Sequence, residues 1–148
     1  MNTTDERNRG GRGETTIREH RESDIAFIVD SWLKSYRGST FARYVRGDEY
    51  YTGHRHAIER AMRRAATTIL VAHAPDDTET ILGWICYEHP GVLHYLFVRP
   101  LVRKLGVSRQ LIEALPEEPV FYSHFTLALN GILRRMPRAV YSPYLFLR

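Results

Sequence analysis

The segment from Arg103 to Ser108 has the residue types of an anion-binding loop. Arg103 and Lys104 supply positive charge, and Gly106 lets the backbone approach a ligand closely. A helical pattern begins near Gly106, so the unpaired N–H groups of a helix start should point at the same place. A phosphate or pyrophosphate is the predicted ligand, with a plain tight turn before a helix as the alternative.

His94 lies upstream of this loop, in the predicted strand Val92–Val98. An ammonium must lose a proton before its lone pair can attack, and imidazole titrates near neutral pH. His94 is therefore a candidate general base; a core histidine bonded to a neighbouring backbone group is the alternative. Because side chains alternate along a strand, we expect His94 to share a face with Val98 and Leu93 to share the other with Tyr95.

The run from Leu96 to Ser108 resembles the central motif of the GNAT acyltransferase superfamily, which ends in Arg/Gln-x-x-Gly-x-Gly/Ala. Ser108 at the last motif position is a departure. The resemblance implies an N-acyltransferase that moves an acetyl or other acyl group from coenzyme A to a primary amine, with acetyl-CoA as cofactor. It implies nine cofactor-binding residues: Phe97 and Val98 beside the thioester and pantetheine arm, Arg103, Lys104, Leu105, Gly106, Val107 and Ser108 at the pyrophosphate, and Asn130.

The same resemblance implies which residues would remove the amine proton and protonate the leaving thiolate. The run from Leu93 to Val98 is similar to the Leu-His-x-Leu-x-Val strand of arylalkylamine N-acetyltransferases, whose histidine helps remove the amine proton, and this implies His94 as the base. Glu88 is the alternative base, or else a turn residue. Many family members carry an asparagine and, seven residues later, a tyrosine that protonates the leaving thiolate. Asn130 matches that asparagine, but Pro137 occupies the tyrosine position. The candidates left for that acid are Tyr122, His124 and Tyr141, unless the thiolate leaves unaided.

An aromatic, polar segment lies between the first two predicted helices, where this family commonly covers the acceptor. Rings with one polar edge suit a cation or a flat ring, so an amine on an aromatic or nucleobase-like group is a plausible acceptor, with simple helix packing as the alternative. The candidate substrate-binding residues are Tyr36, Tyr51, His54 and His124, whereas Trp32 falls on an apolar stripe and is predicted to be core.

The pattern of the whole chain predicts an α/β fold: a single-domain GNAT-like fold with a central mixed, mostly antiparallel sheet flanked by helices. Residues 1–14, rich in Gly and Arg, are predicted to form a disordered leader, and residues 15–148 the domain. Strands are expected at 15–20, 67–74, 80–87, 92–98, 120–126 and 139–147, and helices from a Ser23-Asp24 cap to about 36, then up to about 66, at 106–115 and at 130–136.

Composition narrows the class of protein. The chain has 148 residues, 43% of them hydrophobic, which fits one domain. Cys86 is the only cysteine, so a disulfide framework and a cysteine-based zinc site are excluded, and no metal is predicted. We find no membrane segment and no signal peptide in the sequence, and therefore expect a cytoplasmic protein.

The formal net charge of +4 favours an anionic partner, either a phosphorylated cofactor or nucleic acid. A second hypothesis is therefore a phage-type enzyme of the same fold that modifies DNA or a nucleobase. A third is a non-catalytic acyl-CoA-binding module, suggested by the missing tyrosine at Pro137. The final strands of this fold often pair between subunits, which makes a homodimer an expectation.

Overall fold

The computed structural model describes residues 15–148, which form a six-stranded sheet in sequence order; the predicted leader lies outside the described residues. Strands β1 to β4 pair antiparallel, and β5 and β6 join in parallel. The sheet is thus mixed and mostly antiparallel, as predicted. The strands are β1 Thr16–Glu19, β2 Thr67–Ala74, β3 Asp77–Glu88, β4 Val92–Val98, β5 Phe121–Tyr122 and β6 Val140–Tyr141.

Five α-helices of four residues or more accompany the sheet in residues 15–148. They are α1 Ile25–Tyr36, α2 Arg55–Arg63, α3 Val107–Glu113, α4 Leu127–Asn130 and α5 Tyr144–Leu147. Apolar residues recur in α1 every three to four positions, and that stripe is buried at Ile28, Val29, Trp32 and Leu33. A helical turn, Gly47–Glu49, and a π-helical segment, Tyr50–His54, lead into α2. A π-helical segment of this kind frequently occurs at a functional site.

The two faces of the sheet carry separate apolar clusters. Residues of α1 and α2 pack with Trp84, Cys86 and Tyr95 on one face, which we call the α1 face. Leu111 of α3 packs with Ile85 on the other, which we call the α3 face. The alternation along β3 produces this division, because successive side chains point to opposite sides of a strand.

His94 interrupts the alternation along β4. The register pairs Tyr87 with Leu93 and Cys86 with Tyr95, so His94 is an extra residue in the ladder, as in a β-bulge. Leu93 therefore packs in the α3 face, whereas Tyr95 packs in the α1 face. The His94 ring lies 5.7 Å from that of Phe146, which belongs to the α1 face. The expectation that His94 shares a face with Val98, and Leu93 with Tyr95, was wrong because strict alternation does not survive a bulge.

The last third of the chain differs most from the sequence prediction. Only Phe121–Tyr122 of the predicted strand 120–126 is a strand. The predicted helix 130–136 is replaced by α4 and a 3₁₀ turn, because the Thr126 side chain accepts from Leu129 N at 3.1 Å and starts a helix at Leu127. The predicted strand 139–147 ends at Tyr141, and Pro143 at φ −65° precedes α5.

Candidate active site

A cavity of about 620 Å³ opens where β5 separates from β4. Parallel pairing between the two strands is confined to Val92 and Leu93, so within the described chain the rest of β4 has no partner strand on this side. Backbone groups along that part of β4 can therefore serve a ligand. The cavity is lined by Ser35, Tyr95, Leu96, Phe97, Val98, Val102, Arg103, Lys104, Val107, Ser108, Thr126, Ala128, Leu129, Gly131, Ile132 and Arg135.

One end of the cavity is closed by the turn before α3. Lys104 has φ 69° and Gly106 has φ 87°, so two left-handed residues bend the chain within three positions. The backbone N–H groups of Lys104, Leu105 and Gly106 have no backbone acceptor among the described residues. Successive unpaired amides in such a turn form a concave anion site, and the two adjacent cationic side chains strengthen it.

Six of the nine predicted cofactor-binding residues line this cavity: Phe97, Val98, Arg103, Lys104, Val107 and Ser108. Gly106 shapes the turn, Leu105 is 56% exposed, and Asn130 is exposed at the end of α4; these three are outside the lining. The roles of all nine remain predictions.

Several lining residues gave no signal in the sequence. Arg135 stands on the wall formed by the 3₁₀ turn after α4, and Ser35 reaches the cavity from α1. Ser35 Oγ lies 2.7 Å from the Tyr95 hydroxyl, which fixes the ring of Tyr95 at the cavity wall. Neither Arg135 nor Ser35 belongs to a motif, so only the tertiary packing identifies them.

Glu88 and His94 form a buried hydrogen-bonded pair close to the cavity. His94 Nε2 lies 2.7 Å from Glu88 Oε1, and Glu88 also accepts from Arg64 at 2.8 Å and from Arg148 at 2.9 Å. Burial favours a higher pKa for Glu88, but hydrogen bonds from His94 and Arg64 outweigh it and hold that pKa below its usual value. Glu88 is thus a buried carboxylate at the end of β3, and the two candidate bases are hydrogen-bonded partners.

The second nitrogen of His94 is also bonded. His94 Nδ1 lies 2.7 Å from Ser123 Oγ, and Ser123 Oγ lies 2.9 Å from His124 Nδ1. Burial lowers the pKa of His94, with the Glu88 carboxylate opposing that shift, and burial lowers the pKa of His124 well below its usual value. Both rings are therefore neutral at physiological pH, and each uses both of its nitrogens.

His94 and His124 line a recess of about 10 Å³ beside the cavity. It is close to the size of one water molecule. Four lining residues are common to the recess and the larger cavity: Tyr95, Leu96, Thr126 and Leu129. The recess lined by the imidazole pair is thus adjacent to the predicted cofactor site.

The predicted acceptor residues lie on the α1 face. Tyr36 is buried and stacks on His54 at 5.2 Å, and His54 Nε2 lies 3.1 Å from His124 Nε2. Tyr51 is 41% exposed beside them. The structure therefore brings His54, His124 and Tyr36 together.

The predicted acids occupy a different place. Tyr122 and Tyr141 contact each other with ring centroids 5.4 Å apart on the neighbouring strands β5 and β6. Neither residue lines the cavity or the recess. Their proposed role in protonating a leaving group remains a prediction.

Two further properties concern residues 15–148 only. This region has no group of three or more His, Cys, Asp or Glu side chains placed to hold a metal ion. None of its helices has the length and apolarity needed to cross a membrane.

Comparisons with known proteins identify the fold. No family model and no curated protein sequence matches the chain. Among solved structures, a histone acetyltransferase HPA2 and related acetyltransferase from Corynebacterium glutamicum aligns with TM-score 0.59 and 18% identity, covering 82% of each chain.

Two more solved structures align over similar regions. A GCN5-related N-acetyltransferase from Rhodopseudomonas palustris gives TM-score 0.50 at 19% identity, over 70% of this chain and 64% of that one. AAC(6')-Iy, in complex with the bisubstrate analog CoA-S-monomethyl-acetylneamine, gives TM-score 0.51 at 16% identity, over 82% of this chain and 86% of that one. The chain therefore has the GNAT acetyltransferase fold.

Proposed function

We propose that this protein is an acyl-CoA-dependent N-acyltransferase that transfers an acetyl or other acyl group to a primary amine by direct attack. The observation that carries this proposal is the cavity between β4 and β5, which has a cationic, amide-rich turn in its wall and the His94 recess beside it. The fold shared with acetyltransferases supports it, as does the bisubstrate analog bound to AAC(6')-Iy.

The residues of the cavity fit the chemistry of coenzyme A. The free amides of Lys104 to Gly106 and the side chains of Arg103 and Lys104 suit a pyrophosphate, and Arg135 offers a further cation across the cavity. The open edge of β4 presents backbone groups that can bond the amides of a pantetheine arm. When bound, acyl-coenzyme A supplies the activated thioester that the amine attacks.

His94 is the proposed acceptor of the amine proton. An imidazolium at this position is stabilised by the Glu88 carboxylate 2.7 Å away, which itself stays ionised between Arg64 and Arg148. Glu88 acts in this proposal as the partner of His94 rather than as the base. Removing the proton frees the amine lone pair, which is the step that general base catalysis accelerates.

Release of coenzyme A thiol from acetyl-CoA, measured with a panel of primary amines, tests this function. The panel should contain alkylamines, arylalkylamines, aminoglycosides and single-stranded DNA, so that the predicted nucleobase acceptor is tested in the same assay. We expect amine-dependent thiol release with a matching mass gain on one amine class. Coenzyme A binding without any amine-dependent release across the panel would support the non-catalytic module instead.

A further inference from the structure

His94 is fully buried, and both of its nitrogens are hydrogen-bonded within the protein. A substrate ammonium therefore has no direct access to a lone pair on this ring. If His94 receives the amine proton, as the proposed function holds, the proton must arrive through one of its two partners. Glu88 is a carboxylate held by two arginines, which leaves Ser123 as the only route among the described residues.

Ser123 begins a continuous chain of hydrogen bonds that leads away from His94. Ser123 Oγ lies 2.9 Å from His124 Nδ1, and His124 Nε2 lies 3.1 Å from His54 Nε2. Ser123 and His124 are buried, whereas His54 is only partly buried, and its Nδ1 has no protein partner in the part of the chain described. We propose that Ser123, His124 and His54 form a proton relay that carries the ammonium proton from His54 to His94.

The polarity of the chain follows from Glu88. A carboxylate only accepts, so His94 Nε2 carries the hydrogen and neutral His94 has a lone pair on Nδ1. Ser123 then donates to Nδ1, His124 donates from Nδ1 to Ser123, and His54 donates from Nε2 to His124. Ser123 Oγ also lies 3.4 Å from the His94 carbonyl oxygen, a longer contact than the 2.7 Å to Nδ1. Every hydrogen thus points toward Glu88.

With this polarity, a proton can move along the chain only from His54 toward His94. The N–H bond of the ammonium breaks, its electron pair stays on the amine, and the proton bonds to His54 Nδ1. The His54 Nε2 proton moves to His124 Nε2, the His124 Nδ1 proton moves to Ser123 Oγ, and the Ser123 proton moves to His94 Nδ1. One positive charge leaves the amine and one appears on His94, where the Glu88 carboxylate faces it.

The surroundings of the relay keep its members aligned. The His124 ring is enclosed by Trp32, Tyr36, Tyr95 and Phe146, with centroid distances of 4.4 to 5.6 Å. The His54 ring stacks between Tyr36 and Tyr50 at 5.2 and 5.3 Å. These rings hold the middle of the relay in place, while His54 is partly exposed and the nearby Tyr51 is 41% exposed. The acceptor is expected to present its ammonium on this side.

Nitrogen-15 NMR of the imidazole rings tests the relay without any acceptor. We expect His94 and His54 to carry hydrogen on Nε2 and His124 on Nδ1, with signals assigned by single His→Gln variants. Ser123→Ala should shift the Nδ1 signals of both His94 and His124, and Ser123→Thr, which keeps the hydroxyl, should restore them. His124 protonated on Nε2 would overturn the relay, whatever the protein's activity.

Turnover with an amine from the panel gives the second measurement. Ser123→Ala and His54→Gln should each lower kcat by about 10- to 100-fold with the KM for acetyl-CoA unchanged, and Ser123→Thr should recover most of the loss. Full kcat in Ser123→Ala together with an inactive His94→Gln would reject the relay but keep His94 as base. Absence of turnover in the wild type would count against the proposed function, and the NMR result would still decide the relay.

Discussion

Glu88 Oε1 lies 2.7 Å from His94 Nε2, and Arg64 donates to the same carboxylate oxygen at 2.8 Å. The carboxylate therefore joins a buried histidine of β4 to a cation that follows α2. This relationship fixes the tautomer of His94 and provides the negative charge that a protonated His94 needs. The chemistry proposed for the cavity depends on it.

Glu88→Gln tests that dependence. The amide still accepts a hydrogen bond, but it removes the charge beside His94, so we expect kcat to fall about 10- to 100-fold with coenzyme A affinity unchanged. Loss of charge-assisted bonds to Arg64 should also cost about 1–3 kcal/mol of unfolding free energy. Glu113→Gln, at an exposed site on α3, is the control and should change neither quantity. Unchanged turnover in Glu88→Gln would argue against an ionised partner for His94.

Lowering the pH should destabilise the folded protein, because the His54 ring binds a proton less readily in the folded than in the unfolded state. Burial lowers the pKa of His54 to about 4, against roughly 6.5 in the unfolded chain. Between these values the unfolded state binds the extra proton, so the unfolding free energy rises with pH and falls as pH drops from 6.5 toward 4. One such group contributes a slope of about 1.4 kcal/mol per pH unit at most.

Urea unfolding at pH 7, 6 and 5 measures this slope. His54→Phe keeps a ring between Tyr36 and Tyr50 but removes the titrating group, so its slope should be shallower than that of the wild type. His56→Gln, at an exposed position on α2, should leave the slope unchanged. Identical slopes for the wild type and His54→Phe would contradict a neutral, buried His54.

Arg135 provides a test of the cavity wall that the sequence did not identify. Its side chain lines the cavity, whereas the neighbouring Arg134 does not. Arg135→Ala should weaken coenzyme A binding by about fivefold, the effect of one partly solvated ion pair of about 1 kcal/mol. Arg134→Ala removes the same charge next to it and should leave the affinity within error. Equal effects of the two substitutions would indicate a general charge effect.

Gly83 sets the distance between α3 and the sheet. A Cβ at this position would lie 2.6 Å from the Phe97 carbonyl oxygen and 3.3 Å from Val107 Cγ1, and both residues line the cavity. Gly83→Ala should therefore cost about 1–3 kcal/mol of unfolding free energy and weaken coenzyme A binding. Gly53→Ala meets nothing within 4 Å and serves as the control. Chemical denaturation of both variants decides whether this close approach matters.

The sequence predicted the elements whose patterns are local. The hairpin of β2 and β3, the stripe of α1 and the Gly106 turn were identified because each is encoded within one short, continuous segment of the sequence. The strands β5 and β6 were predicted in the right places but too long, and the helix α5 was not predicted, because two to four residues carry too little periodicity. Packing across the sheet determines their structure.

The candidate site also has one part that the sequence predicted and another that it did not. The loop at Arg103 to Ser108 was visible as a motif, but the hydrogen-bond chain was not. His54 and His124 are 70 residues apart in sequence, and a bulge, which strict alternation does not predict, determines the position of His94. Ser123 carried no signal at all, since a single serine becomes informative only when both neighbours are known.

Isothermal titration of coenzyme A against the wild type, Ser108→Ala and Ser108→Glu tests the central claim most directly. Ser108 lines the cavity at the start of α3, where a carboxylate would repel a pyrophosphate. The account predicts one coenzyme A bound per chain for the wild type and Ser108→Ala, and affinity at least about tenfold weaker for Ser108→Glu. Absence of coenzyme A binding by the wild type, or equal affinity in Ser108→Glu, would contradict it.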